Sequence, residues 1–212
     1  MSKKVTYILD CDGVILDSNL MKILAMKESL ESFKFFSSDS ISRAILNFKS
    51  NFGMSRYWHI EQFINIFKKV PASFSDDCIN NYGRIVRKKY LSAPLCKNVD
   101  LFLKKNKSTK YVVSGSDQQE LNDVFKERML DQYFELILGS PTSKEKNILS
   151  IIASAPNNKY IMIGDSHADL NASLANAIDF IFYKPYSMVA SDLEAAAKSH
   201  HFRVLNSWGD MI

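Results

Sequence analysis

Cysteine is scarce in this 212-residue chain: Cys11, Cys78 and Cys96 are the three, and no two form a Cys-x-x-Cys pair. An odd, dispersed set offers neither a disulfide framework nor a zinc cage, and it fits a reducing compartment. No stretch reaches the roughly 18 uninterrupted apolar residues of a membrane span. The opening Met1-Ser2-Lys3-Lys4 leads into a β-prone run without the apolar core and cleavage site of a secretory signal. A cytoplasmic protein with no membrane partner is therefore expected. Internal repeats, low-complexity linkers and base-reading motifs are also missing. The net charge of +4 is modest, and its clusters (Lys68-Lys69, Arg84 to Lys89, Lys104 to Lys110) read first as solvated helix faces. As a field, they favour a small anionic substrate over nucleic acid.

What remains is an ordinary globular composition, 46% hydrophobic and 24% charged, in a length that suits one domain carrying an insertion. Strand-like runs fall at 5–9, 111–113, 136–138, 160–163, 180–183 and 202–205, and helical patterns at 117–130, 144–154, 167–176 and 189–199. Their alternation predicts an α/β fold: a Rossmann-like parallel sheet with helices on both faces. Ligands of such sheets sit beyond the carboxyl ends of the strands. Residues 19–94 interrupt the alternation. Ile23, Met26, Leu30 and Phe33 recur at helical spacing, as do Tyr57, Ile60, Phe63, Ile64 and Phe67, with further helices expected near 39–50 and 75–91. So long a strandless stretch is no simple crossover. It predicts a helical cap over 19–94, hinged near Asp17-Ser18-Asn19 and Ser92-Ala93-Pro94, on a core of 1–18 and 95–212.

Polar residues gather where the predicted strands end. Val5 to Leu9 runs into Asp10-Cys11-Asp12-Gly13, two carboxylates at i, i+2 followed by a residue that makes a tight turn sterically easy. Such a pair can divide labour between nucleophile or metal ligand and proton donor. Val112-Val113-Ser114-Gly115-Ser116 offers a hydroxyl and backbone N–H groups to phosphate oxygens at an expected helix start. Lys144 comes at another helix start, placed to neutralise a phosphate and a nucleophilic carboxylate together. In Ile163-Gly164-Asp165-Ser166-His167-Ala168-Asp169 two acids four apart are expected on one helix face, an oxygen set suited to Mg²⁺ with water and substrate phosphate.

Taken together and in this order, Asp10-x-Asp12-Gly13-Val14-x-x-Asp17-Ser18, Ser114, Lys144 and Gly164-Asp165-x-x-x-Asp169 resemble the haloacid dehalogenase-like hydrolase superfamily, in its phosphatase branch with an inserted α-helical cap. The likeness extends to phosphoglycolate phosphatase and β-phosphoglucomutase-like members. It implies a Mg²⁺-dependent phosphatase acting on a small phosphorylated metabolite, such as a sugar phosphate, through an aspartyl-phosphate. Asp10 would be the nucleophile and Asp12 the general acid–base. Asp10, the Asp12 carbonyl and Asp165 would hold Mg²⁺, while Ser114, Gly115 and Ser116 grip the phosphoryl oxygens. Lys144 would offset charge, with Asp169 orienting it. Cap residues Lys22 and Arg56, the latter in Gly53-Met54-Ser55-Arg56, would face the substrate. His59 and His167 have no assigned part. A phosphomutase is the alternative, and a phosphorylatable signalling module a more distant one. A monomer or weak homodimer is expected.

Overall fold

A computed structural model describes residues 4–212. Six strands, β1 (Val5–Leu9), β2 (Thr109–Asp117), β3 (Leu136–Ser140), β4 (Lys159–Gly164), β5 (Asp179–Tyr183) and β6 (Arg203–Leu205), form one sheet in the order β3-β2-β1-β4-β5-β6. Every pairing is parallel. A sheet covered on both faces needs strands that are apolar on both faces. The strands meet that need by alternation: Ile8, Val113, Met162 and Phe182 pack on one side, and Leu9, Val112, Ile163 and Tyr183 on the other.

The covering helices are α6 (Gln118–Glu127), α7 (Lys144–Ser154), α8 (His167–Ala175) and α9 (Ala190–His200). A short α5 (Val99–Lys105), unforeseen because seven residues carry too few turns to show a period, precedes β2. Its Phe102 stacks on Trp208 with centroids 4.5 Å apart, and the Trp208 Nε1–H donates to the Val14 carbonyl at 3.0 Å. That bond pins the loop carrying both early aspartates.

Between β1 and β2 lie α1 (Asn19–Glu31), α2 (Ser38–Ser50), α3 (Arg56–Phe67) and α4 (Phe74–Tyr90). Phe33, expected to continue the first helical stripe, lies beyond the end of α1 and joins an aromatic knot with Phe36, Phe67 and Phe74. The two connections to this segment run side by side. The Asp17 N–H donates to the Pro94 carbonyl at 2.8 Å and Cys96 N–H to the Ile15 carbonyl at 2.9 Å. Among the described residues, no helix is long and apolar enough to cross a membrane.

Candidate active site

β1 and β4 are neighbours, so their ends deliver acids to one place. Asp10 follows β1, with its N–H on the Ile163 carbonyl at 3.0 Å, and Asp165 follows β4. Oxygens of Asp10, Asp165 and Asp169 all lie within 4.8 Å of one another, fully buried. Lys144, the first residue of α7 behind the Ser143 cap, reaches Asp169 Oδ1 at 2.6 Å and Asp10 Oδ1 at 3.0 Å. Gly13, at φ +75°, completes the approach, because a Cβ there would stand 2.2 Å from Asp165 Oδ2.

The route by which Asp169 arrives differs from the expected shared helix face. Asp165 precedes α8, and Ser166 is its N-cap. Asp169 folds back so that Oδ2 accepts from the Ser166 N–H at 3.1 Å and the Ser166 hydroxyl at 2.6 Å. Both its oxygens are therefore engaged, one by the cap and one by Lys144, which suits a positioning part.

Three buried carboxylates share one ammonium. Burial, then repulsion from Asp169, push Asp10 up to about 7 despite Lys144. Burial and the neighbouring Asp10 and Asp169 raise Asp165 well above the usual carboxylate range. Burial alone would lower Lys144, but Asp10 and Asp169 carry it above its ordinary value. Asp165 Oδ1 is buried without a hydrogen-bond partner, and Asp10 Oδ1 meets Lys144 only as an ion pair, out of hydrogen-bonding alignment. Unbalanced charge and unsatisfied oxygens of this kind fit a hard divalent cation. Asp165 Oδ2 is held by Asn19 Nδ2 at 2.6 Å.

Asp12 belongs to a different cluster. Its Oδ2 accepts from Lys22 Nζ at 2.6 Å and Ser116 Oγ at 2.9 Å, and its Oδ1 from Tyr90 OH at 2.8 Å and from Ser18 Oγ. Burial by itself would raise this carboxyl, but Lys22, Ser18 and Tyr90 hold it below its ordinary value. Lys22 also sits 4.6 Å over the Tyr90 ring. Its own pKa is raised: Asp12 outweighs the cost of burial. The Asp12 side chain thus stands apart from the three-carboxylate cluster.

Ser114 is not at a helix start. β2 continues through it with an irregular register between Val113 and Asp117, and Asp117 caps α6 instead. Ser114 Oγ accepts from the Ser116 N–H at 3.1 Å and donates to Ser116 Oγ at 3.2 Å. The turn expected after Ser114 is a strand bulge, since β3 pairing carries the backbone on. Gly115 is needed for another reason: a Cβ there would lie 2.3 Å from the Gly53 carbonyl, so the α2–α3 loop rests on the β2 end.

One cavity joins the two halves, running from Asp10, Asp12 and Ser114 to Phe48, Phe52, His59 and Tyr82. Lys22 and Arg56 both line it, as expected, but neither cation is spare. Arg56 pairs with Glu120 at 2.8 Å, with both side chains 7% exposed. Sequence reasoning missed Ser18, Asn19, Tyr90 and Glu120 as parts of the site. Ser18 and Asn19 adjoin the opening motif, whereas Tyr90 and Glu120 carry no local signal. His167 stays peripheral, 3.7 Å from Asp192 on the surface.

A family model described as haloacid dehalogenase-like hydrolase matches residues 7–183. Among solved structures, a predicted phosphatase from Clostridium acetobutylicum superposes with a TM-score of 0.77 at 18% identity, covering 99% of this chain and 97% of the other. A predicted phosphoglycolate phosphatase from Haemophilus somnus gives 0.75 at 12% identity, covering 100% and 97%. A conserved haloacid dehalogenase-like protein of unknown function from Agrobacterium tumefaciens gives 0.70 at 16%, covering 97% and 95%. At such identities the superpositions show a shared fold. No curated protein matches the chain.

Proposed function

This chain belongs to the haloacid dehalogenase-like hydrolase family, and from that premise we propose that it is a Mg²⁺-dependent phosphatase of a small phosphomonoester. The structural relatives that carry phosphatase names support the same reading. The observation that carries it is the buried Asp10–Lys144–Asp169 chain beside the unsatisfied Asp165 carboxylate. Residues 19–94 act as the cap, on a core of 1–18 and 95–212, of which 1–3 lie outside the described residues.

Asp10 and Asp165, with the Asp12 carbonyl, would hold the cation, which would neutralise charge between the nucleophile and the phosphoryl oxygens. Asp10 attacks phosphorus as its ester bond breaks, forming an aspartyl-phosphate on Asp10 and dividing one very slow step into two. Lys144, fixed by Asp169, offsets the charge of the Asp10 carboxylate and the phosphoryl group. Ser114, Gly115 and Ser116 line the end of the cavity where phosphoryl oxygens would lie. The departing oxygen takes a proton from the Lys22 ammonium, whose Nζ donates to Asp12 Oδ2 at 2.6 Å. Asp12, held as a carboxylate, then accepts a proton from the water that attacks the aspartyl-phosphate.

One feature favours hydrolysis over the mutase alternative. Arg56 is neutralised by Glu120 and Lys22 by Asp12, so neither cation is left to hold a second phosphate during a transfer between two sugar hydroxyls. The experiment is phosphate release from p-nitrophenyl phosphate and a phosphometabolite panel, with Mg²⁺ and with EDTA. Multiple turnover is expected in Mg²⁺, with Asp10→Asn lowering kcat by at least about 10³-fold. Turnover that survives both EDTA and Asp10→Asn would overturn the reading. Single-turnover labelling without phosphate release would point to the signalling alternative.

A further inference from the structure

The far end of the cavity, beyond the phosphoryl position, is built differently from its floor. Phe48, Phe52 and Tyr82 wall it, and His59 stands among them with its ring centroid 4.4 Å from that of Phe48. His59 is 1% exposed, and its Nδ1 is buried without a hydrogen-bond partner. A buried ring nitrogen without a partner is costly, and His59 is among the residues that line the cavity, where a ligand can reach its ring. The two cations nearby are already committed to Asp12 and Glu120 in pairs buried to about the same depth. Drawing either towards an anionic leaving group would strand a buried carboxylate.

We propose that this end of the cavity selects a small uncharged alcohol carrying at least one further hydroxyl, and that His59 is the specificity-determining residue that hydrogen-bonds that hydroxyl. The assignment rests on the phosphatase reading and narrows its substrate class. Burial lowers His59 from 6.5 to about 3, so the imidazole is neutral. A neutral ring offers one donor and one acceptor, which a hydroxyl can satisfy in either sense, whereas a carboxylate or phosphate uses only the donor. The aromatic walls suit the C–H faces of a polyol or sugar. Space is short: about 30 Å³ is open to the centre of a water molecule, so the alcohol has few heavy atoms unless the α2–α3 loop lifts from Gly115.

The test compares glycerol 3-phosphate with propyl phosphate, which keeps the carbon chain and lacks the hydroxyls, and with phosphoglycolate, whose leaving group is anionic. Wild-type kcat/KM is expected to favour glycerol 3-phosphate over each by at least about tenfold, since a site built around a hydroxyl rejects the analogue lacking it. In His59→Phe the glycerol 3-phosphate to propyl phosphate ratio should fall about tenfold, chiefly through KM, and His59→Gln should recover part of it. A wild-type preference for phosphoglycolate or propyl phosphate, or a ratio unmoved by His59→Phe, overturns the inference while leaving the phosphatase reading intact. No turnover of any phosphomonoester in Mg²⁺ removes both. The wild-type comparison decides even where a His59 variant does not fold.

Discussion

Lys144 and Lys22 are both fully buried and both 2.6 Å from an aspartate, yet they do opposite things to their surroundings. Lys144, at the start of α7, is shared by Asp10 and Asp169, with Asp165 close by, so three carboxyl groups face one ammonium. Lys22 descends from α1 onto a single carboxylate that also accepts from Ser18, Tyr90 and Ser116. One cluster leaves buried carboxylate oxygens without a hydrogen-bond partner. The other engages both oxygens of its carboxylate. On the proposed phosphatase reading the first would take the cation and the phosphoryl group, and the second would serve the proton transfer to the departing alcohol.

Removing Lys144 tests the incomplete side most severely. Lys144→Met leaves Asp10 and Asp169 buried without their ammonium, so a loss of about 3–5 kcal/mol in stability is expected without divalent ions. We expect kcat to fall by about 10³-fold or more, and Mg²⁺ to restore more Tm to the variant than to the wild type. Equal Tm gains in the two proteins would mean that no cation shares this cluster.

Lys22→Met probes the complete side. A loss of about 10²–10⁴-fold in kcat/KM is expected, the range of a general acid–base contribution. The sign of the pH effect is set by Asp12, whose pKa is held down by Lys22. Without the ammonium it rises, so the acidic limb of the kcat/KM profile should move to higher pH. Tyr90→Phe removes one donor and should move the same limb the same way by less, at about 0.5–1.5 kcal/mol in stability. A limb that stays put in both variants would detach Asp12 from the profile.

The mildest effect separates the clusters by pH without mutation. In the folded chain Asp10 binds a proton up to about 7 and Asp165 is also held well above the usual carboxylate range, while the unfolded chain has released both. Metal-free stability should therefore be lost as pH rises from the ordinary carboxylate value of 3.8 through about 7. His59 works in the other direction, since it is neutral when folded but protonates in the unfolded chain below its ordinary 6.5. Its contribution is lost as pH falls below that value. With Mg²⁺ the deprotonated acids gain a partner, so the decline towards pH 7 should flatten or reverse. Thermal melts at several pH values, with and without Mg²⁺, read this directly; identical slopes in both series would count against a cation at Asp10 and Asp165.

Much of this arrangement was legible in the chain. Each strand of the sheet was foreseen within a few residues, because short, mostly apolar runs of three to five residues, several of them broken by Asp, Ser or Gly, have few other uses. Asp10, Asp12 and Asp165 were legible for the same reason, each being a polar residue at or just beyond the end of such a run, and Lys144 was legible from the helix start it occupies. Ser114 was misplaced at a helix start because β2 and β3 go on pairing after the apolar run ends. Asp169 was found, but through a helix-face argument that its capping of Ser166 replaces. Tyr90 and Glu120 could not be found, as each sits on an ordinary amphipathic helix.

The succession of strands and helices along the chain, the strandless insertion and the acids at the strand tips follow from local pattern, since burial rewards period and composition within a few residues. The partition of those acids into one cluster with unpartnered oxygens and one whose oxygens are all engaged does not. It depends on which lysine, tyrosine or serine from a distant helix comes within 3 Å of each carboxylate, and charge interactions at that range are set by packing across 10 to 100 residues of chain.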